Sequence, residues 1–156
     1  MRTILFVCTG NSARSIMAEA YANHAGAGRW RAFSAGSNPT GAPNPFALET
    51  LRANDIPIPA GDAAPRSKSW DEFAGDAAAP LDVVVTVCDN AAGEVCPVWP
   101  ARPGETTAKR HWGFPDPAAA EGSDADKRAA FETVFADIRR RIDSFLAEES
   151  ADGGAA

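Results

Sequence analysis

Positively charged residues are in short supply. Fifteen Lys and Arg face twenty-one Asp and Glu, a formal net charge of -6. That balance argues against a general binder of nucleic acid or anionic membrane. An anion that binds here must be captured by a local site against the global field. Histidine is scarce as well, only His24 and His111. With Cys-x-x-Cys spacing also missing, a zinc site is disfavoured and no metal is expected. No apolar run approaches the roughly 20 residues a membrane helix needs. The N-terminal run Ile4-Leu5-Phe6-Val7 is far shorter than a signal-peptide core, so a cytoplasmic location is expected. In that compartment thiols stay reduced. Cysteines number three, Cys8, Cys88 and Cys96. An odd count with no need for staples makes chemistry the question.

The chain is one domain's length, 156 residues, with no internal repeat and no linker. Residues 2–7 read as a buried strand, followed by a polar turn and then a helix from Ile16 to His24. Residues 31–34 suggest a second strand. A Pro- and Gly-rich loop covers 37–45, and short helices are expected over 46–56 and 67–75. Leu81–Val87 is the clearest strand and ends at Cys88. Residues 106–112 form a weaker strand candidate. Ser123 and Asp126 make a capping-box-like pair. Behind them Phe131, Val134, Phe135, Ile138, Ile142, Phe145 and Leu146 form an apolar stripe at helical spacing. The domain is expected to span 1–147, with 148–156 a disordered tail. Alternating strands and helices imply an α/β fold with a parallel sheet covered on both faces.

The segment Cys8-Thr9-Gly10-Asn11-Ser12-Ala13-Arg14-Ser15 carries the chemistry. A tight loop between strand and helix turns successive backbone N–H groups inward, and the helix behind adds its positive end. Gly10 allows the backbone to turn. Arg14 offers a planar fork for two oxygens of a tetrahedral oxyanion. Residues 9–14 thus cradle the anion, with Cys8 beneath its central atom. A helix N-terminus and a nearby Arg make a thiol nucleophilic. Ser15 can donate to the sulfur, and Asn11 can brace the loop.

This loop resembles that of the low-molecular-weight protein tyrosine phosphatases and of the arsenate reductases sharing their fold. The resemblance covers essentially residues 1–147. It implies a three-layer α/β/α sandwich with a four-stranded parallel sheet in the order 2-1-3-4. It also implies that Asp116, before Pro117, is the general acid. Within the family, a second and a third cysteine separate reductase from phosphatase. Arsenate has the shape and charge of phosphate, so one cradle admits both. Reduction to arsenite needs two electrons, which two thiols supply by becoming a disulfide.

The segment Val87-Cys88-Asp89 to Cys96-Pro97, with His111-Trp112-Gly113-Phe114, is similar to the thiol-relay arsenate reductases. By that resemblance Cys88 is the second thiol and Cys96 the third, with no bound cofactor and an external reductant. The Cys88–Cys96 spacing is one residue longer than in the thioredoxin-coupled members. The reductant therefore stands open between thioredoxin and glutathione with glutaredoxin. A helix over 88–96 would separate the two Cα atoms by roughly 12 Å, whereas a disulfide tolerates only about 7 Å. A redox-coupled unwinding of 88–97, eased by Gly93, is expected.

In some members Asn, Glu, Ser and Asp bind potassium. Asn11, Glu19 and Ser34 match the first three, while Lys68 stands near the fourth, so no potassium requirement is expected. The leading expectation is a monomeric arsenate reductase for detoxification, with phosphate or sulfate as mimics of its substrate. The first alternative is a tyrosine phosphatase, although Asp116-Pro117-Ala118 lacks a following aromatic. The second is a non-catalytic oxyanion-binding or redox-regulated protein.

Overall fold

The computed structural model describes residues 1–61, 64–73, 81–88 and 107–154. Four strands form one parallel sheet: β1 (Arg2–Cys8), β2 (Trp30–Gly36), β3 (Val83–Thr86) and β4 (Ala108–His111). Their spatial order is β2-β1-β3-β4, as the resemblance implied. β1 is central, and Ile4 to Cys8 are buried on both faces. That is why it reads as a continuous apolar run rather than an alternation. β4 is an edge strand whose four residues are all exposed, which explains its faint sequence signal.

Three helices, α1 (Arg14–Ala25), α2 (Pro45–Ala53) and α3 (Asp124–Gly154), pack together on one face. They meet Ile4, Phe6, Val83 and Val85 in the main core. Leu5, Val7, Ala35, Leu81 and Val84 point to the other face, where Phe33, Trp70 and Phe73 cover them. The helix expected over 67–75 is a 3-10 turn, Trp70–Phe73. Its upstream residues are held extended instead: Gly36 N donates to Lys68 O at 2.8 Å, and Gly36 pairs with Ser69. Among the described residues of that stretch, Trp70–Phe73 make the turn.

Asn44 caps α2, accepting from Phe46 N at 2.9 Å, with Pro45 at the first helical position. The capping box at α3 is reciprocal: Ser123 N donates to Asp126, and Asp126 N to Ser123 Oγ. All seven stripe residues of α3 are buried. The helix runs on to Gly154, so the tail expected from 148 is helical over most of its length. Ala147, Glu148 and Glu149 are good helix formers. Glu149 also pairs with Arg2, at the start of β1, and with Arg110 of β4 at 3.6 Å. No helix among the described residues is long and apolar enough to cross a membrane.

Tyr21, the chain's one tyrosine, ties α1 to α3 through its hydroxyl, which donates to Asp143 Oδ1 at 2.5 Å. Burial, and then Asp143, push its phenol above the usual value. The phenol is therefore protonated more readily in the folded chain than in the unfolded one. Stability is then lost as pH rises from the unfolded value, about 10, toward the raised folded one. Tyr21→Phe should lower stability by about 1 kcal/mol at neutral pH. It should also flatten the alkaline decline. Urea unfolding of both proteins across the alkaline range checks this. Parallel declines would show that Tyr21 contributes nothing to the pH dependence.

Candidate active site

All four strands deliver their carboxyl ends to one edge of the sheet. The connections from β1 and β3 diverge there, and that is where α/β folds place ligands. Cys8 closes β1 and is almost fully buried. The next residues form the cradle, and α1 starts at Arg14. Its N-cap residue, Ala13, offers no side-chain acceptor to the first turn. No N-cap side chain therefore competes with an anion at the start of α1.

The sulfur sits in a directed chain of hydrogen bonds. The Lys68 backbone N–H, which can only donate, points at Asn11 Oδ1 at 2.9 Å. That contact fixes the amide and turns Asn11 Nδ2 toward Ser15 Oγ, 2.8 Å away. Since the Ser15 oxygen accepts there, its own hydrogen is free for Cys8 Sγ at 2.9 Å. Asn11 N donates to the same sulfur at 3.2 Å. Ser15 thus lies on the thiol and the Asn11 amide braces the loop, while the Asn11 backbone N–H adds a contact to the sulfur that the sequence did not suggest. The left-handed turn falls on Asn11, at φ 46°, rather than on Gly10. Asparagine tolerates that conformation better than most side chains.

Gly10 serves a different need. A Cβ there would approach Thr40 Cγ2 to 3.2 Å. The loop after β2 shadows the cradle: Ser37 N, Asn38 N, Thr40 N and Asn44 N donate to the carbonyls of Cys8, Thr9, Gly10 and Ser12. Ser67 Oγ also donates to Gly10 O. The cradle carbonyls are thereby turned outward, so that its N–H groups are left facing in. Gly36 makes this possible, because a Cβ on it would lie 2.5 Å from Thr9 O. Neither Gly36 nor residues 37–44 stood out in the sequence as part of the site. Their signal is backbone pairing, which residue types do not display.

Arg14 is buried and reaches the segment after β4. Its Nη1 donates to Phe114 O at 3.1 Å, and its Nη2 lies 3.9 Å from Asp116 Oδ2. The other Asp116 oxygen accepts from Ala118 N at 3.0 Å, capping the 3-10 turn Pro117–Ala119. One oxygen is anchored and the other faces the guanidinium. Asp116 is thus held beside the cradle, with its side chain partly open to solvent.

Cys88 lies two residues past the end of β3 and is fully buried. Val7 pairs with Thr86, so Cys88 stands one step beyond the level of Cys8 on the adjacent strand. Cys88 is disulfide-bonded, whereas Cys8 is a free thiol. Cys96 and the expected unwinding beyond Cys88 fall outside the described residues. His111 Nδ1 is 2.8 Å from Thr86 Oγ1, across the β3–β4 pair. Among the described residues no cluster of His, Cys, Asp and Glu could hold a metal ion.

Behind the cradle, the residues matched to a potassium site come together. Lys68 Nζ donates to Ser34 Oγ at 3.4 Å and to Arg66 O at 3.2 Å, and lies 3.8 Å from Glu19. Burial pushes the Glu19 carboxyl up, opposed chiefly by Lys68, and pushes the Lys68 ammonium down, opposed chiefly by Glu19. A covalently attached cation therefore occupies the space between Glu19, Ser34 and the Asn11 loop.

Two outcomes are expected. Gly36→Ala should displace the cradle, cost about 1–3 kcal/mol as overpacking does, and abolish binding of inorganic phosphate in calorimetry. Phosphate affinity equal to the parent's would refute the role given to Gly36. Exchanging sodium for potassium at equal ionic strength should leave the unfolding midpoint unchanged, because the Lys68 ammonium fills the place. A rise specific to potassium would contradict that.

Comparison with known proteins agrees with this geometry. The family model for low molecular weight phosphotyrosine protein phosphatase matches residues 3–153. An arsenate reductase of Bacillus licheniformis is 38% identical over 144 residues, covering 92% of this chain and 94% of that protein. One from Bacillus subtilis is 35% identical over the same shares. The crystal structure of an arsenate reductase from Archaeoglobus fulgidus superposes with a TM-score of 0.70 at 28% identity, over 92% of this chain and 98% of that one. With its oxyanion cradle, its sheet order and this match over nearly the whole sequence, the chain belongs to the low molecular weight phosphotyrosine protein phosphatase family.

Proposed function

We propose that the chain is an arsenate reductase working through a relay of three thiols. The observation that carries this reading is a disulfide at Cys88 that leaves Cys8 free. Hydrolysis of a phosphate ester calls for one nucleophilic thiol and no disulfide in its cycle. A relay ends in that state, with its nucleophile restored. The two Bacillus relatives, both arsenate reductases, support the reductase part of this reading.

In the first step the Cys8 sulfur attacks arsenic. An oxygen leaves as water once Asp116 supplies a proton. The N–H groups of residues 9–14 and the Arg14 fork hold the remaining oxygens. Attack requires Arg14 to turn part of its fork from Phe114 and Asp116 to the anion. In the second step the Cys88 thiolate attacks Cys8 sulfur. The S–As bonding pair stays on arsenic, which is reduced from the pentavalent to the trivalent state and leaves as arsenite. Cys8 and Cys88 are then oxidised to a disulfide. In the third step Cys96 attacks Cys88, a Cys88–Cys96 disulfide forms, and Cys8 is released as thiolate. An external dithiol, thioredoxin or glutathione with glutaredoxin, returns two electrons.

The walls of the cradle favour a small inorganic anion. Ser37, Asn38, Thr40 and Asn44 border it through their backbone, and none carries a ring to stack on a phenyl group. Slow hydrolysis of aryl phosphates through a Cys8 phosphoenzyme is a side activity of the shared first step.

Arsenite formation should be followed with either reductant system. Cys8→Ser should abolish it. Cys88→Ser should form the arsenate adduct and stop without multiple turnover. Cys96→Ser should stall at the Cys8–Cys88 disulfide unless a small thiol resolves it. Full multiple turnover by Cys88→Ser would sink the relay. Phosphate binding with no arsenite from the parent protein would point to a non-catalytic oxyanion-binding protein.

A further inference from the structure

A second cavity, of about 660 Å³, lies on the far side of the Lys68–Glu19 pair from Cys8. Its walls are α1, the outer edge strand β2 and residues 57–59 and 64–73. Neither Cys8, Arg14 nor Asp116 lines it. Its volume is that of a small-molecule site.

The wall chemistry selects a ligand. One side is apolar, formed by Phe33 and Phe73, with ring centroids 5.5 Å apart, and by Pro57 and Pro59. Six charged or titratable side chains also line it: four potential cations, His24, Arg31, Arg66 and Lys68, and two carboxylates, Glu19 and Glu72. The carboxylates are both taken. Glu72 pairs with Arg66, which holds its carboxyl below the usual range, and Glu19 faces Lys68. Arg31 is exposed and makes no ion pair among the described residues. Its guanidinium instead lies over the Phe33 ring, 5.4 Å from the centroid. The cavity thus offers one uncompensated guanidinium stacked beside a pair of aromatic rings.

A peptide adding a strand to the β2 edge is the obvious rival occupant. The edge is already closed at the cavity's centre. Asn23 accepts from Ala32 N at 2.8 Å and donates to Ala32 O at 3.1 Å, so its side-chain amide takes the place of a neighbouring strand. That leaves a compact ligand rather than an extended one.

We infer that this cavity binds a small organic carboxylate with an aromatic or branched apolar body, its carboxylate on Arg31 and its body against Phe33 and Phe73. The site does not depend on the relay. Binding is read without arsenate, so its failure and the failure of the reductase reading are separate results.

The test uses the full chain and hydrocinnamate as probe, followed by amide chemical shifts. Saturable shifts should cluster at Ala32, Phe33, Lys68 and Phe73. They should persist in saturating phosphate, which occupies the Cys8 cradle. Arg31→Ala should weaken binding about tenfold, the effect of one lost charge-assisted contact. Hydrocinnamyl alcohol, which lacks the charge, should bind the parent about as weakly. Arg31 is exposed, so this variant is expected to fold, and an unchanged phosphate affinity verifies it. The proposal is overturned if no saturable shifts appear at these residues. It is equally overturned if phosphate displaces the probe, or if Arg31→Ala or loss of the carboxylate leaves the affinity unchanged.

Discussion

A backbone N–H cannot reverse its polarity, and the site is built on that constraint. The Lys68 N–H sets which end of the Asn11 amide faces which neighbour. Every later hydrogen bond, from Asn11 to Ser15 and from Ser15 to the sulfur, inherits its direction from that one. A hydroxyl alone would be free to rotate, and an amide alone free to flip. Linked in series to a main-chain donor, they are not. The nucleophile therefore meets a preset arrangement of donors rather than one assembled at the moment of attack.

Lys68 holds that position because its side chain is fixed as well as its backbone. A buried ammonium is costly unless partnered. Ser34, the Arg66 carbonyl and Glu19 meet that need. The directions in which Glu19 and Lys68 shift show that burial outweighs their mutual attraction for each. The pair is thus better understood as a device for placing the 66–69 segment than as a source of stability. Through that segment, the cradle, the end of β2 and the second cavity share one wall.

The cradle and Arg14 were legible in the sequence, because each rests on a residue type whose chemistry is distinctive; sheet order and the place of Asp116 came only through the family resemblance. Lys68 was legible for the same reason, as a charge where a carboxylate was expected. What escaped notice depends on main-chain pairing. Gly36 looks like any strand-ending glycine until Thr9 O is found against it. The loop 37–44 read only as turn-rich, although its N–H groups hold the cradle's carbonyls. The turn at 70–73 was taken for a helix because Trp70 and Phe73 have helical spacing. Pairing of Lys68 and Ser69 with Gly36 overrides that local preference. Composition misled in the opposite sense at the C-terminus, where small polar residues suggested a tail, yet the helix continues and Glu149 finds partners on two strands.

The place of β1 has a consequence for how the chain comes off the ribosome. It is the first strand synthesised, yet it lies in the middle of the sheet, with β2 on one side and β3 on the other. β3 begins only at Val83, so the second neighbour arrives when more than half the chain has emerged. Until then Ile4 to Val7 form a sticky, half-paired segment, and parallel pairing of this kind is slow to form. α1 and β2 follow within the next residues and can shelter one side early. The sheet around the nucleophile at the end of β1 is thus completed only as the second thiol is made, because Cys88 follows β3 by two residues.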